Sequence, residues 1–432
     1  MIFLVLAIEN LLFPLAGAAF VLKFALSRRR SLLKDLPAEM GERLGFVPLE
    51  VLSKLAGRET LWIHAASAGE VAAVSELIAR LKSQKPARAV VVTCSTAAGR
   101  DRAKALPSVD AALLAPLDFY PAVSRFLLQI KPKLLLIAET ELWPHMIELS
   151  FRRGVNIAVV NGRISKKSFA RTRPFAFLAR PFLRRLGRVA AQSSEHAARF
   201  KALGAPEDRV RALGNLKYDV KPAPGPVEAA ANALLELGWS DCPIFVAGST
   251  HPAEEDAVLE AYAAAKQRVP DLKLVLAPRH VERAREAAQN LARRGLAFKA
   301  WSKPASGAKP GPADVLLLDA LGVLSAFYGR AVLSFVGGTL VPVGGHNILE
   351  PALAGCPVAF GPHTAHVEDV ARVLEDAGGG FKVRDAGELA LKLQSLAELP
   401  DQARLAAKAA KDAAASLQGA VGRTLDYLRD WL

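Results

Sequence analysis

Three clusters of residues along this chain have types and spacing suited to chemistry, and each follows an apolar run of strand length. The first is Ser67-Ala68-Gly69-Glu70, after the run 60–65. Glu70 would stand at a helix N-terminus, where a carboxylate can take the proton of an attacking hydroxyl as a general base. Position alone favours a different role, because Glu in a first helical turn caps backbone N–H groups and is held there by the macrodipole, which also lowers its basicity. The second cluster is Glu139-Thr140-Glu141-Leu142-Trp143-Pro144, after the run 134–138. Two carboxylates at this spacing suit metal binding or the orientation of an acceptor group, and a solvated strand terminus is the plain alternative. Pro144 marks a rigid turn or the first turn of a helix.

The third cluster is Phe335-Val336-Gly337-Gly338-Thr339 with Gly344-Gly345-His346-Asn347-Ile348-Leu349-Glu350-Pro351. A strand feeding a glycine-rich loop that opens a helix would present backbone N–H groups and a helix dipole to an anion such as a nucleotide phosphate. Glu350, a little further on, suits ribose hydroxyls, and a glycine-rich surface loop is the alternative. The pattern is neither a Walker A loop nor a GxGxxG fingerprint. Two shorter loops, Gly248-Ser249-Thr250-His251 and Pro278-Arg279-His280, also follow apolar runs and converge on it by topology. Arg279 suits a phosphate or a sugar carboxylate, or a surface ion pair. No DxD spacing occurs, so a metal-held nucleotide diphosphate has no obvious ligand set, and the histidines show no HExxH spacing.

The elements that must position these residues alternate between short apolar runs and helical stretches, the rhythm of a parallel, doubly wound sheet. Runs at 60–65, 89–93, 134–138 and 156–160 precede Lys221-Pro222-Ala223-Pro224-Gly225-Pro226, which reads as an extended linker. Runs at 244–247, 272–277, 315–318, 331–336 and 357–360 follow it. The expected plan is two Rossmann-like domains, 28–220 and 227–432, joined by 221–226, with a helical tail over 403–432 in the second. Strand ends of both would face a shared cleft, where open α/β sheets bind ligands; that is the GT-B arrangement.

Charge divides the chain in the same place. Residues 1–220 hold 34 Lys and Arg against 18 Asp and Glu, a net of +16, whereas 221–432 hold 22 against 24, a net of −2. The first half therefore suits a polyanion: an anionic membrane, a phosphorylated substrate or nucleic acid. Residues 151–188 carry eleven basic and no acidic residues, interleaved with Phe169, Phe175, Phe177, Phe182 and Leu183, a composition suited to a headgroup region. Nucleic-acid stacking is the rival, and part of the aromatic set is expected in the core. Residues 2–26 are apolar except for Glu9 and Lys23, and Ser27-Arg28-Arg29-Arg30 follows. A signal peptide has the reverse order. Residues 1–27 are therefore expected to be a membrane-anchor helix, with the basic end cytoplasmic. Glu9, Asn10 and Pro14 fit a tilted or interfacial anchor, and a buried helix is the alternative. Cys94, Cys242 and Cys356 are far apart, which fits a reducing compartment.

Taken in order, Gly41-Glu42-Arg43-Leu44-Gly45-Phe46, Trp62-Ile63-His64-Ala65-Ala66-Ser67-Ala68-Gly69-Glu70, the 139–144 stretch, Asn161-Gly162-Arg163-Ile164-Ser165, Gly214-Asn215-Leu216-Lys217-Tyr218-Asp219, the two short loops and 344–351 resemble the transferases of 3-deoxy-D-manno-octulosonic acid (Kdo). The resemblance implies a GT-B fold with an N-terminal acceptor domain and a C-terminal CMP-sugar domain. It implies inverting, metal-independent transfer of Kdo from CMP-Kdo to a lipid A precursor in lipopolysaccharide core biosynthesis, at the cytoplasmic face of the inner membrane, with no nucleic acid. By this resemblance Glu70 matches the catalytic base, against the reading from position, and Glu139 and Glu141 lie in an acidic motif that supports catalysis. Arg279, Gly345, Asn347 and Glu350 match the CMP-binding region, Ser249 and Thr250 lie near the donor, and Arg100 matches a basic residue near the reacting sugar. Cys94-Ser95 stands where threonines are expected and is assigned no role. A UDP-sugar transferase acting on another membrane lipid is the alternative, and a non-catalytic membrane-surface or nucleic-acid-binding protein is a further one.

Overall fold

In the computed structural model, the described residues are 6, 36–219, 226–302 and 313–432. All of the expected anchor, 1–27, but Leu6 and all of the expected linker but Pro226 lie outside them. Among the described residues no helix is long and apolar enough to cross a membrane. The chain forms two compact units, residues 1–220 with 418–432, and residues 221–417.

Each unit is built on a seven-stranded, wholly parallel sheet. In the first, β1 (Thr60–His64), β2 (Ala89–Cys94), β3 (Ala111–Leu114), β4 (Leu134–Ala138), β5 (Asn156–Gly162), β6 (Arg188–Ala191) and β7 (Val210–Ala212) lie in the order β3-β2-β1-β4-β5-β6-β7. In the second, β8 (Ile244–Thr250), β9 (Lys273–Pro278), β10 (Phe298–Ala300), β11 (Val315–Leu317), β12 (Ala331–Val336), β13 (Val358–Phe360) and β14 (Gly380–Lys382) lie in the order β10-β11-β9-β8-β12-β13-β14. Central strands such as β1, β2 and β4 are buried along their whole length. That is why they read as continuous apolar runs rather than as alternation. Helices cover both faces of the first sheet: Trp62, Val91 and Ile137 pack on one side, and Ile63, Val92 and Leu136 on the other.

Gly41-Glu42-Arg43-Leu44-Gly45-Phe46 ties the first sheet's edge together. Glu42 accepts the N–H of Leu114 at 2.6 Å, and Arg43 donates to the carbonyl of Ser95 at 3.2 Å. Gly45 (φ 82°) presses so closely on the carbonyl of Ala122 that a Cβ there would lie 2.0 Å from its oxygen.

The tail differs from expectation in two ways. It is broken rather than continuous, since helix Pro400–Leu417 ends and Gly419 (φ 87°) precedes helix Ala420–Leu428. The last piece also belongs to the first unit rather than the second. Asp219 supplies the cause, accepting the N–H groups of Gly419 and Val421, each at 2.6 Å. Arg188 then stacks on the rings of Tyr427 and Trp431, and buried Leu425 and Leu428 join the first unit's core.

Candidate active site

The carboxylates of the first unit stand at the C-terminal ends of adjacent strands, Glu70 beyond β1 and Glu139 and Glu141 beyond β4. Ser67 caps helix Ala68–Gln84: its Oγ accepts the N–H of Glu70 at 3.3 Å and donates to Oε1 of Glu70 at 3.0 Å. Oε2 accepts the N–H of Ala66 at 2.9 Å. Glu70 therefore takes part in the helix's N-terminal cap, as its position suggests, although its carboxylate takes the N–H of Ala66 rather than that of the cap residue Ser67. Capping does not dispose of its basicity. Partial burial raises its pKa most, the bonds from Ala66 and Ser67 lower it, and the charges of Glu139 and Glu141 raise it again, leaving it above the usual carboxylate value. The three glutamates thus share one electrostatic site.

Their backbone is strained where it is functional. Glu139, Asn161 and Ser249, at the ends of β4, β5 and β8, hold φ near +54° without being glycine, a conformation that costs on the order of 1–3 kcal/mol and clusters at working sites. Lys217 reaches Oε1 of Glu139 at 3.5 Å, and the indole N–H of Trp143 donates to Glu141 at 2.8 Å. Asn161 is buried, and its Oδ1 accepts the N–H of Leu216 at 2.9 Å. This bond joins two motifs of the sequence, Asn161-Gly162-Arg163 and Gly214-Asn215-Leu216. Cys94 lies close to Glu70; burial and then that carboxylate push its thiol up to about 12, so it stays protonated.

Arg100 belongs to the first unit, whereas Ser249, Thr250, Arg279, Gly345, Asn347 and Glu350 all lie in the second. Its guanidinium faces Glu42 at 3.6 Å and Glu39 at 3.9 Å, and its buried Nε has no hydrogen-bond partner among the described residues.

His64, a residue of the 62–70 motif with no role assigned above, is buried close to Trp143. Its Nδ1 lies 3.0 Å from Oγ1 of Thr93, which accepts the indole N–H of Trp62 at 2.8 Å. Its Nε2 is buried without a hydrogen-bond partner among the described residues, and burial, against a bond to the Thr93 backbone, holds the ring's pKa down at about 4. The ring stands edge-on to Trp143, 6.5 Å between centroids.

In the second unit the glycine loop is differently used from the expected anion site. Its amides already have an anion, the wholly buried Glu254 of helix Pro252–Arg268. Oε1 accepts the N–H groups of Thr339 and Leu340, each at 2.9 Å, and Oε2 those of Gly338 at 2.7 Å and His251 at 3.0 Å. The amides of Gly344, Gly345 and His346 donate to the carbonyls of Gly337 and Gly338. The helix that follows, Leu349–Leu353, is a single short turn. The amides at 338–340 and 344–346 are thus engaged within the protein, which makes nearby side chains further candidates for a phosphate.

Those side chains are present around the ends of β8, β9 and β12. Arg279 is exposed and has no ion-pair partner among the described residues, and its N–H donates to the carbonyl of Thr250 at 3.0 Å. His251 and His346 face one another across 2.9 Å. Asn347 is exposed, with its Oδ1 accepting the N–H of Leu349 at 3.2 Å. Gly345 is buried against Thr339 and Val367. The carboxylate of Glu350 has no hydrogen-bond partner among the described residues, and burial raises its pKa; an unspent acceptor of this kind suits a ribose diol. Thr250 turns inward instead, its Oγ1 3.4 Å from Glu255, which Arg283 holds with both guanidinium nitrogens.

The chain is similar to several known proteins. The sequence profile of the family described as 3-deoxy-D-manno-octulosonic-acid transferase (kdotransferase) matches residues 38–220. A 3-deoxy-D-manno-octulosonic acid transferase of Bordetella pertussis is 35% identical over 390 residues, covering 86% of this chain and 87% of that protein. Its Haemophilus influenzae counterpart is 32% identical over 376 residues, covering 86% and 87%. Among solved structures, a UDP-GlcNAc 2-epimerase from Neisseria meningitidis, bound to UDP-GlcNAc, aligns with a TM-score of 0.55 at 14% identity, over 86% of this chain and all of that one. That likeness is one of fold.

Proposed function

The chain belongs to the Kdo transferase family, and from that premise we propose that it transfers Kdo from CMP-Kdo to a lipid A precursor. On this reading the two units make a GT-B enzyme of lipopolysaccharide core biosynthesis, the first holding the acceptor and the second the nucleotide. The observation that carries it is the state of Glu70, an ionisable base whose pKa burial, Glu139 and Glu141 raise. A carboxylate raised in this way accepts a hydroxyl proton more readily.

The reaction is a single displacement with inversion. Glu70 removes the proton from a primary hydroxyl of the lipid as that oxygen attacks the anomeric carbon of Kdo. The bond from that carbon to the phosphate oxygen breaks, and CMP leaves with the electron pair. Arg279 offsets the charge on the departing phosphate, and Glu350 and Asn347 hold the ribose. Arg100 meets the sugar carboxylate on this reading. No metal or cofactor is required on this reading. The enzyme works at the cytoplasmic face of the inner membrane, and the surface around Phe175 and Phe177, both more than half exposed among basic residues, supports that location.

The test is incubation of the full chain with labelled CMP-Kdo and a tetraacylated lipid A precursor in EDTA, with CMP and UDP as competitors. Labelled glycolipid, with formation blocked by CMP and not by UDP, is the expected result. A folded, CMP-binding protein that labels no lipid would contradict the assignment, and protection by UDP alone would favour a different donor.

A further inference from the structure

Three loops of the second unit each carry a histidine, and the sheet gathers them. His251 follows β8 and His280 follows β9, while His346 lies in the loop after β12; β8 lies between the other two strands. The rings of His251 and His346 are almost parallel, 11° apart, with Nε2 facing Nε2 at 2.9 Å. His280 meets His251 edge-on at 6.5 Å. Arg279 and His280 add positive potential at His346. The ring of His366 packs against Gly344 on the loop's other side. The carboxylate that faces the pair, Glu254, already accepts four backbone N–H groups.

A 2.9 Å separation between two imidazole nitrogens accommodates one proton: one ring donates and the other accepts. A second proton would set N–H against N–H and place like charges together beside Arg279. Burial, with Arg279 and His251, accordingly holds His346 at about 4. An anionic oxygen beside the pair reverses this balance, because it can accept from both rings once both carry protons, and its charge favours the protonated state.

Resting on the reading of this unit as the nucleotide site, we propose that the donor's phosphate binds at the His251–His346 pair beside Arg279, and that its arrival draws a proton from solution onto the pair. The sign follows from linkage. A histidine whose pKa is low in the free site and raised in the complex makes the complex hold more protons, so affinity rises as pH falls between the two values, by at most about tenfold per pH unit. A phosphate monoester has a second pKa of about 6, and binding its dianion would release protons, the opposite sign.

Calorimetric titration of the full chain with CMP at pH 7, in two buffers of different ionisation enthalpy, measures the proton directly, with cytidine as the phosphate-free control. We expect net proton uptake with CMP and none with cytidine. His346→Gln should abolish the uptake and weaken CMP about tenfold, the loss of one charge-assisted contact, while cytidine binds as before. Zero uptake or release by the wild type overturns the proposal, as does a His346→Gln protein that binds CMP with wild-type affinity and pH dependence. If that variant does not fold, the wild-type buffer pair decides alone. A wild type that binds neither CMP nor cytidine refutes the nucleotide site itself, a different failure from CMP binding without a proton.

Discussion

Glu254→Gln should loosen the second unit's ligand loops without touching any reacting atom. The carboxylate accepts four backbone N–H groups from two loops at 2.7–3.0 Å, with no exposed surface. Gln keeps the volume but turns one oxygen into an amide that donates, so two of the four bonds are lost and two N–H groups face another donor. Each hydrogen bond to a charged group contributes about 1.5–3 kcal/mol, giving a loss of about 3–6 kcal/mol. For a unit of this size each kcal/mol corresponds to about 2–4 °C, so the transition should fall by at least about 6 °C. The assay is thermal unfolding with urea unfolding as a check, followed by CMP binding at a temperature where the variant is folded. CMP should bind more weakly, because His251, Gly338 and Thr339 lose their common anchor. A change under about 1 kcal/mol, with unaltered CMP affinity, would refute the idea that this buried anion organises the loops.

Other outcomes follow from the same geometry. Transfer should fail at low pH as Glu70 takes up a proton, with the acid limb of kcat/KM above the usual carboxylate range. Glu141→Gln removes a charge that raises Glu70 and should move that limb to lower pH; an unmoved limb would separate the two groups. Gly337→Ala should cost about 1–3 kcal/mol in urea unfolding, since its Cβ would lie 2.3 Å from the carbonyl oxygen of Ser249 and 2.8 Å from Glu254. Replacing both Phe175 and Phe177 with Ser should reduce co-sedimentation with anionic vesicles while changing stability by less than about 0.5 kcal/mol at each exposed site; full retention would remove that surface from the membrane account.

Central strands and the carboxylate clusters were legible because both are local. A buried parallel strand is a continuous apolar run, and Glu70, Glu139 and Glu141 each follow one. Strands β6, β7, β10 and β14 have only three or four residues, one of them charged in each, which breaks the apolar run that marks the equally short β11 and β13; β3 is wholly apolar and still went unread. Distance in sequence hid the rest. The amides that Glu254 holds at 338–340 lie 84–86 residues away, although the His251-to-Glu254 spacing is itself a capping signature that marks a helix start. His251 and His346 are 95 residues apart. Asp219 reaches across 200 residues to Gly419, so no local pattern could assign the last helix to the first unit. Glycine spacing likewise could not show that the amides at 338–340 are held by the protein's own Glu254.

The most direct measurement compares single-turnover Kdo transfer by the wild type and by Glu70→Gln, each shown to be folded and to bind CMP, in EDTA. The variant keeps a side chain of the same size that can still accept the N–H of Ala66, but it has no proton-accepting carboxylate. The account predicts transfer by the wild type and a rate at least about 100-fold lower for the variant, the scale of a lost general base. Transfer by Glu70→Gln within a few fold of the wild type would leave Glu70 as a helix cap alone and contradict the central claim.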